Sequence, residues 1–162
     1  MAKLFFAKVR EDAIVPSKRD EDAGYDIYAN FEEPEMIIPA HQTKLIPTGI
    51  AAAVPNGYYL QVEERGSTGA QGIKKSAGVI DSGYRGEIFI AITNANGRYV
   101  VISKKATKVD TDGPMIVYPY GKAIAQLIVH EVPTMQVEEI TYDDLLHIKS
   151  ERGTGALGSS RK

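Results

Sequence analysis

Short runs of residues that favour extended chain, separated by turn residues, follow one another along almost the whole sequence. The clearest run is 58–64, in which Leu60 and Val62 fall on one face and Gln61 and Glu63 fall on the other. Alternation of this kind is typical of a half-buried strand. Ten or more such runs are separated by glycine, proline and asparagine, and almost no segment has helical periodicity. The sequence therefore predicts an all-β fold, either a sandwich or a jelly-roll-like, distorted β-barrel.

Length and composition limit the organisation and the chemistry of the chain. Its 162 residues fit one domain, which we place at residues 1–150, followed by a flexible, glycine-rich arm at residues 151–162. The sequence has no cysteine, which excludes disulfides, thiolate nucleophiles and cysteine zinc sites and gives secretion no support. His41, His130 and His147 lack the spacing of metal ligands, so any metal must be held by oxygen.

The charge balance and the N-terminus narrow the expected partners. A formal net charge of -2 argues against a broad nucleic-acid footprint but leaves room for a local anion site. The N-terminal apolar run is too short for a signal peptide or a membrane span, and Lys8, Arg10 and Glu11 interrupt it. We therefore expect a cytoplasmic protein with no nucleic-acid partner and no membrane partner.

The stretch AGVIDSGYRGE, residues 77–87, carries one carboxylate, Asp81, between an apolar triplet and the turn residues Ser82 and Gly83. This order predicts a strand, a tight reversal and a second strand, with Asp81 at the mouth of a hairpin. A plain hairpin turn without a functional role is the alternative interpretation.

Three neighbours of Asp81 suggest a pocket around it. Tyr84 is close enough in sequence for its ring to form a wall of the same concavity. Gly78 and Gly86 are expected to leave the backbone open to a ligand on either side. One carboxylate, one aromatic ring and exposed amides would suit a small polar ligand.

The segment RGSTGAQG, residues 65–72, follows directly after the 58–64 run and combines an arginine, two hydroxyls and three glycines. Backbone N–H groups in such a turn, or at the start of a short helix, can converge on an anion, and Arg65 can add a bidentate contact to phosphate. The common nucleotide-loop spacing is not met, since Ile73 follows Gly72. The segment is thus either a phosphate cradle or a plain flexible loop.

Two further polar residues lie in otherwise extended runs. Asp26 stands near the start of a predicted strand at 23–29, either as a site residue or as an ordinary outward-facing polar residue. Gln126 is the one amide in an apolar strand predicted at 121–129. A buried amide needs hydrogen bonds, so Gln126 either braces a neighbouring loop or reaches a ligand.

The last third of the chain contains weaker signals. We expect a strand pair at 98–103 and 114–118 around a polar loop, a last strand at 135–140, and one or two helical turns at 142–148. The arm at 151–162 has too little apolar surface to pack by itself. It is either disordered or a lid that becomes ordered when a phosphate ligand binds.

Taken together, five segments resemble, in order and approximate spacing, the five motifs of the homotrimeric deoxyuridine triphosphatase (dUTPase) family. The resemblance extends from residue 23 to the C-terminus, and the third segment is the most specific of the five. The segments are AGYDIYA, RGSTGAQG, GVIDSGYRGE, GKAIAQLIV and RGTGALGSS.

The resemblance implies a role for each matching residue. Asp81 would position and deprotonate the attacking water, and Tyr84 would pack against the deoxyribose and leave no room for a 2′-hydroxyl. Asp26 would hold waters on a metal ion, and the backbone of the stretch from Gly78 to Tyr84 would bind the uracil edge. The implied substrate-binding residues are Arg65, Gly66, Ser67, Thr68, Gly78, Val79, Ile80, Tyr84, Gln126, Arg152, Leu157, Gly158, Ser159 and Ser160.

The reaction implied by the resemblance is hydrolysis of dUTP to dUMP and pyrophosphate, with water attacking the α-phosphorus and Mg²⁺ spanning the triphosphate. The implied assembly is a homotrimer whose active sites are shared between subunits. The alternatives are a dCTP deaminase-like or bifunctional enzyme of the same fold, and a nucleotide-sensing regulator that has lost turnover.

Four features depart from the pattern of the family. Gly66 stands where a serine is common, so Ser67 or Thr68 must supply that hydroxyl or the contact is absent. Leu157 replaces a phenylalanine that stacks on uracil, and Ala123 replaces a common arginine. The segment 98–120 looks longer than the usual link between the third and fourth motifs.

Overall fold

The computed structural model describes residues 2–156, which form twelve strands and two short helices. The strands are β1 Phe5–Lys8, β2 Gly24–Ile27, β3 Glu35–Ile38, β4 Thr43–Pro47, β5 Ile50–Ala53, β6 Tyr58–Glu63, β7 Ile73–Lys75, β8 Val79–Ile80, β9 Phe89–Asn94, β10 Val100–Ser103, β11 Ile116–Pro119 and β12 Ala125–Glu131. The helices are α1 Gly66–Gly69 and α2 Tyr142–His147. The all-β prediction is therefore confirmed.

The strands pair into four small sheets, with strand orders β1-β5, β11-β10-β3, β2-β12-β6-β8 and β4-β9-β7. Within residues 2–156 these sheets do not join into one closed hydrogen-bonded ring. The largest sheet matters most for function, because it carries the first, third and fourth of the sequence segments described above on adjacent or nearby strands.

One hydrophobic core joins the four sheets. Ile50, Ile102, Leu127 and Ile90 come from four different sheets, belong to one buried cluster and are each at most 1% exposed. Full burial of an aliphatic side chain of this size stabilises a fold by about 1.5–3 kcal/mol. The core therefore fixes the relative positions of the sheets, and with them the loops that emerge at their edges.

The hairpin predicted around Asp81 is wrong. β8 pairs with β6 in one sheet, whereas β9 pairs with β4 and β7 in another. A turn does form, with the Tyr84 N–H donating to the Asp81 carbonyl at 3.1 Å. The chain then moves to a different sheet, because the Ile88 N–H bonds to the Ile50 carbonyl at 2.7 Å rather than to β8. Asp81 thus lies on a connection between two sheets.

The predicted pairing of 98–103 with 114–118 is confirmed as β10 and β11, and the two strands run parallel. The predicted helical turns at 142–148 are confirmed as α2. The last strand predicted at 135–140 is wrong, since those residues pair with no strand among residues 2–156 and are all exposed. Neither α1 nor α2 is long and apolar enough to cross a membrane.

Candidate active site

A short helix shapes the glycine-rich segment that follows β6. The Thr68 hydroxyl donates to the Arg65 carbonyl and accepts from the Arg65 N–H, both at 3.0 Å. Thr68 is fully buried. These two bonds fold residues 65–69 into one helical turn despite two glycines, which disfavour helix. Thr68 therefore lies beneath the segment, while Arg65 and Gly66 face outwards.

Asp26, Arg65 and Gln126 meet at one edge of the largest sheet. In the register of β2 and β12, Asp26 lies opposite Gln126. The Arg65 guanidinium reaches across to Asp26, with Nε 2.8 Å from Oδ1. The Gln126 amide donates to the Glu64 carbonyl at 2.8 Å and so holds the residue before Arg65. Of the two roles that the sequence left open for Gln126, this bond shows the bracing one, and its role in substrate binding stays a prediction.

These residues line an open cleft of roughly 870 Å³. Gly66, Ser67 and Gln126 lie in its wall beside Arg65 and Asp26. A Cβ at Gly24 would lie 2.5 Å from Gln126 Oε1 and 3.0 Å from Gln126 Cβ, so a larger residue there would displace the Gln126 side chain. The structure thus brings together the polar residues of the first, second and fourth segments that the sequence singled out.

The wall of the cleft includes one hydroxyl without a partner. Ser67 Oγ is buried and has no hydrogen bond among residues 2–156. A buried polar group in this state costs about 1–3 kcal/mol. Tyr118, which lies beneath it, is fully buried and donates its hydroxyl to the Ala123 carbonyl at 2.7 Å. Burial raises the pKa of Tyr118, and Ser67 and Arg65 oppose that shift. The Ser67 hydroxyl is therefore unpaired within the described chain but buried, and it would reach a ligand only by turning towards the cleft.

Asp81 and Tyr84 line a second, smaller pocket of roughly 250 Å³, together with Val79 and Ile80. Asp81 is exposed, and the Tyr84 ring is 45% exposed. The Tyr84 hydroxyl donates to the Glu87 carbonyl at 2.8 Å, which fixes the ring against the pocket. The carboxylate and the aromatic ring that the sequence placed together do share one pocket.

Gly78 and Gly86 have a packing role that the sequence did not predict, and their openness to a ligand stays a prediction. A Cβ at Gly78 would collide with Gln61 Nε2 and lie 3.0 Å from the Val62 carbonyl oxygen. A Cβ at Gly86 would lie 2.5 Å from the Tyr84 hydroxyl oxygen. Both glycines are thus needed for packing. The Gly78 carbonyl also accepts a bond from the Val62 N–H at 2.7 Å.

The two pockets share no lining residue among residues 2–156. Arg152 borders neither of them, and its Nε donates to the Gly155 carbonyl at 2.8 Å within the arm. Leu157, Gly158, Ser159 and Ser160, all predicted to bind substrate, lie outside the described residues. The described part of one chain therefore separates the predicted catalytic carboxylate from the predicted phosphate site.

Comparison with known proteins identifies the family. A sequence model of the dUTPase family matches residues 10–108, more than half of the chain. The chain belongs to the dUTPase family. The deoxyuridine 5′-triphosphate nucleotidohydrolase of Gloeobacter violaceus is 36% identical to it over 142 residues, which cover 86% of this chain and 82% of that relative. The enzyme of the same name from Debaryomyces hansenii is 34% identical over 154 residues, with 94% and 83% coverage.

Solved dUTPase structures share the fold of this family member. Native EIAV dUTPase superposes with a TM-score of 0.65 and is 26% identical, covering 87% of this chain and 98% of that one. The Staphylococcus bacteriophage 80alpha dUTPase with dUPNHPP superposes with a TM-score of 0.77 over 99% of both chains. Its identity is 24%, so that likeness bears on the fold alone.

Three cations of the cleft were missed in the sequence. Lys18 and Arg19 reach it from the loop before β2, and Lys122 reaches it from the turn before β12. None of the three lies in a regular strand, so alternation could not place them. The only sequence signal was proximity, since Lys122 lies four residues before Gln126.

Proposed function

We propose that this dUTPase family member is a dUTP diphosphatase, which hydrolyses dUTP to dUMP and pyrophosphate. The observation that carries the proposal is the convergence of Asp26, Arg65, Ser67 and Gln126 on one cationic cleft. This donor set suits an anion, because a guanidinium binds phosphate oxygens directly. The Ser67 hydroxyl, unpaired within the described chain, would gain a partner by turning towards the phosphates. The activity would limit uracil incorporation into DNA and supply dUMP for dTMP synthesis, and a cytoplasmic location stays a prediction.

Asp81 is the proposed general base. Its carboxylate is exposed at a pocket and can take a proton from a water molecule. The water oxygen then forms a bond to the α-phosphorus, the bond from that phosphorus to the bridging oxygen breaks, and pyrophosphate leaves. Arg65 and Ser67 would stabilise charge on the phosphates.

Base and sugar selection is assigned to the pocket around Asp81. The Tyr84 ring, fixed through its hydroxyl, would pack on the deoxyribose and exclude a 2′-hydroxyl. β8 is an edge strand of its sheet within the described chain, and the Gly78 carbonyl bonds to β6, so by alternation the N–H and C=O groups of Val79 point outwards and are free to pair with uracil. Backbone groups of this kind can distinguish a 4-oxo from a 4-amino base. The backbone of Ile80 faces β6, and its contribution is to line the pocket.

Mg²⁺ is the proposed cofactor. Within residues 2–156 no three acidic or histidine side chains cluster as a metal cage. The half-exposed Asp26 carboxylate, with Oδ1 held by Arg65, fits the weaker role of holding metal-bound waters. When bound, the ion would neutralise charge on the triphosphate. A solved dUTPase from phage phi11 is described with a structural Mg(II) ion, which concerns that protein.

A homotrimer with shared sites is the proposed assembly. Its first support is the separation of the Asp81 pocket from the Arg65 cleft in one chain. Its second support is the segment 132–148, where Met135, Val137 and Leu145 are 74%, 93% and 52% exposed. Such apolar side chains favour burial against another subunit, and a closed three-fold ring allows each site to draw on several chains. The arm at 151–162 would close over the phosphates from a neighbouring subunit.

The test is substrate discrimination by the purified protein. With Mg²⁺ and dUTP, dCTP, dTTP or UTP in separate reactions, we expect pyrophosphate release from dUTP well above the other three. Ammonia release from dCTP would identify a deaminase instead. Nucleotide binding without release of either product would identify a regulator.

A further inference from the structure

We propose that Lys122 is a substrate-binding residue that holds the triphosphate in the cleft. This inference rests on the proposed function, and it concerns a residue outside the set that the sequence predicts. Lys122 is half-buried and lines the cleft together with Arg65, Ser67 and Gln126. The cations that line the cleft differ in how free they are to bind an anion.

The two arginines of the cleft are already paired with carboxylates. Arg65 lies 2.8 Å from Asp26, as described above. Arg19 donates two bonds to Asp22, from Nε at 2.9 Å and from Nη2 at 3.0 Å. These hydrogen bonds lower the pKa of Asp22, so it stays negative beside the arginine. Neither arginine therefore brings an uncompensated positive charge to the cleft.

The two lysines differ in what surrounds their ammonium groups. Lys18 Nζ donates to the backbone carbonyls of Arg19 and Asp20, at 3.1 and 3.3 Å, and lies 5.5 Å from the Tyr25 ring centroid. Lys122 Nζ has no carboxylate within 4.0 Å and no hydrogen bond among residues 2–156. Of the cations lining the cleft, the described contacts thus leave Lys122 the most available.

A turn fixes the backbone of Lys122, and the buried Tyr118 ring lies near its ammonium. Its N–H bonds to the Pro119 carbonyl at 3.1 Å, and its ammonium lies 6.0 Å from the Tyr118 ring centroid. That distance is at the outer limit of a cation–π contact, so the ring attracts the ammonium only weakly and leaves it able to bind an anion. Tyr118 in turn adjoins Arg65 and Ser67, whose charge and hydroxyl act on its pKa.

The neighbouring position cannot supply this charge. Ala123, where the resemblance to the family implies an arginine, is 2% exposed, and its carbonyl is bonded to the Tyr118 hydroxyl. A cation from this turn can reach the cleft only from Lys122. The lysine would thus compensate for the missing arginine with a point charge, which binds phosphate without the fixed geometry of a guanidinium.

Three variants separate this role from the alternatives. Lys122→Met removes the charge and keeps much of the side-chain length, and Lys122→Arg restores a cation. Lys108→Met is the matched control, because Lys108 and Lys122 both border an adjacent pocket at residues 106–109 that is distinct from the cleft. Calorimetry would measure the Kd of dUPNHPP, of inorganic tripolyphosphate and of dUMP, and a melting curve would report the fold.

We expect Lys122→Met to raise the Kd of dUPNHPP and tripolyphosphate by about ten- to a hundredfold, the scale of one charge-assisted bond. The Kd of dUMP and the Tm should change little, Lys122→Arg should recover most of the affinity, and Lys108→Met should match the wild type. Equal tripolyphosphate affinity in Lys122→Met and wild type would overturn the inference. So would a loss of affinity that Lys122→Arg does not recover, or an equal loss in Lys108→Met.

These outcomes are distinct from failure of the proposed function. A wild-type protein that binds tripolyphosphate through Lys122 but does not hydrolyse dUTP would refute the diphosphatase and retain the anion contact. If the wild-type protein hydrolyses dUTP but Lys122→Met binds dUPNHPP and tripolyphosphate as tightly as the wild type does, the diphosphatase is retained and the role of Lys122 is refuted. Absence of binding to both dUPNHPP and tripolyphosphate would refute both.

Discussion

The Tyr84 hydroxyl donates to the Glu87 carbonyl oxygen at 2.8 Å, and the side chain of Glu87 is itself anchored to a distant part of the chain. Glu87 Oε1 accepts from Arg10 Nη2 at 2.6 Å and from the Gly49 N–H at 2.8 Å. The side chain of Glu87 is only 18% exposed. The ring expected to select the sugar is therefore held by a residue tied to both the N-terminal segment and the turn before β5.

Replacing Glu87 should destabilise the protein. In Glu87→Ala, the Arg10 guanidinium and the Gly49 N–H lose their acceptor, so we expect the free energy of unfolding to fall by about 1.5–3 kcal/mol. Urea denaturation would measure this change. Glu139→Ala is a suitable control, since Glu139 is exposed and should cost nothing measurable. Equal stability of the two variants would show that the Glu87 contacts contribute little.

Asp81 offers the most direct test of the chemistry. Asp81→Asn keeps the size of the side chain but cannot accept the proton from water, so we expect kcat to fall by about a hundredfold or more. Binding of dUPNHPP and the Tm should be nearly unchanged, because Asp81 is exposed. Steady-state kinetics and calorimetry measure the two effects. Turnover close to that of the wild type would remove Asp81 from the proposed role.

Gly66 is the position at which the resemblance to the family implies a serine. A Cβ at Gly66 would meet no heavy atom within 4 Å, and the residue is exposed at the start of α1. Serine disfavours helix less than glycine does, so Gly66→Ser should keep or slightly raise the Tm. The added hydroxyl should lower the KM for dUTP if it gains a phosphate contact. A raised KM at unchanged Tm would mean that the glycine itself is required by the bound substrate.

Strands and turns that a local residue pattern defines were predicted correctly from the sequence. Predictions that depended on which distant strand pairs with a segment were wrong. The 58–64 run was predicted correctly because alternation alone defines a half-buried strand. Residues 135–140 show a similar apolar pattern, yet no sheet edge of the described chain pairs with them. The turn at Asp81 was predicted from its composition. The strand that follows it pairs with β4 and β7, a non-local choice that no local signal carries.

The candidate site was predictable to a similar extent. Resemblance to the family pointed to Asp26, Arg65 and Gln126, and the structure brings all three together. The resemblance did not point to Lys122. Residues in a turn do not follow the periodic alternation of a strand or a helix, so the direction of this side chain could not be predicted. The bonds by which Thr68 stabilises α1 could not be predicted from the sequence either, because the two glycines of that segment disfavour a helix.

The arm should matter for turnover and not for folding. Residues 151–156 are almost entirely exposed, so deletion of 151–162 should leave the Tm nearly unchanged. Hydrolysis should slow strongly, and Arg152→Ala alone should cost about 1.5–3 kcal/mol of charge-assisted bonding to phosphate. Among residues 2–156, the Arg152 side chain donates to the Gly155 carbonyl and the Arg152 N–H donates to Ser150 Oγ. Unchanged kcat/KM in the truncated protein would refute the lid.

Shared active sites lead to a prediction about mixed assemblies. Light scattering should give about three times 17.7 kDa for the assembled protein. Asp81→Asn chains and chains lacking 151–162 should each be nearly inactive alone. If Asp81 and the arm of one site come from different subunits, random mixing in equal amounts should give about one quarter of the sites both intact parts. Activity should then recover only after subunit exchange, which a fluorescent label on each variant can verify. A fully active monomer, or no recovery after verified exchange, would mean that Asp81 and the arm act within the same chain.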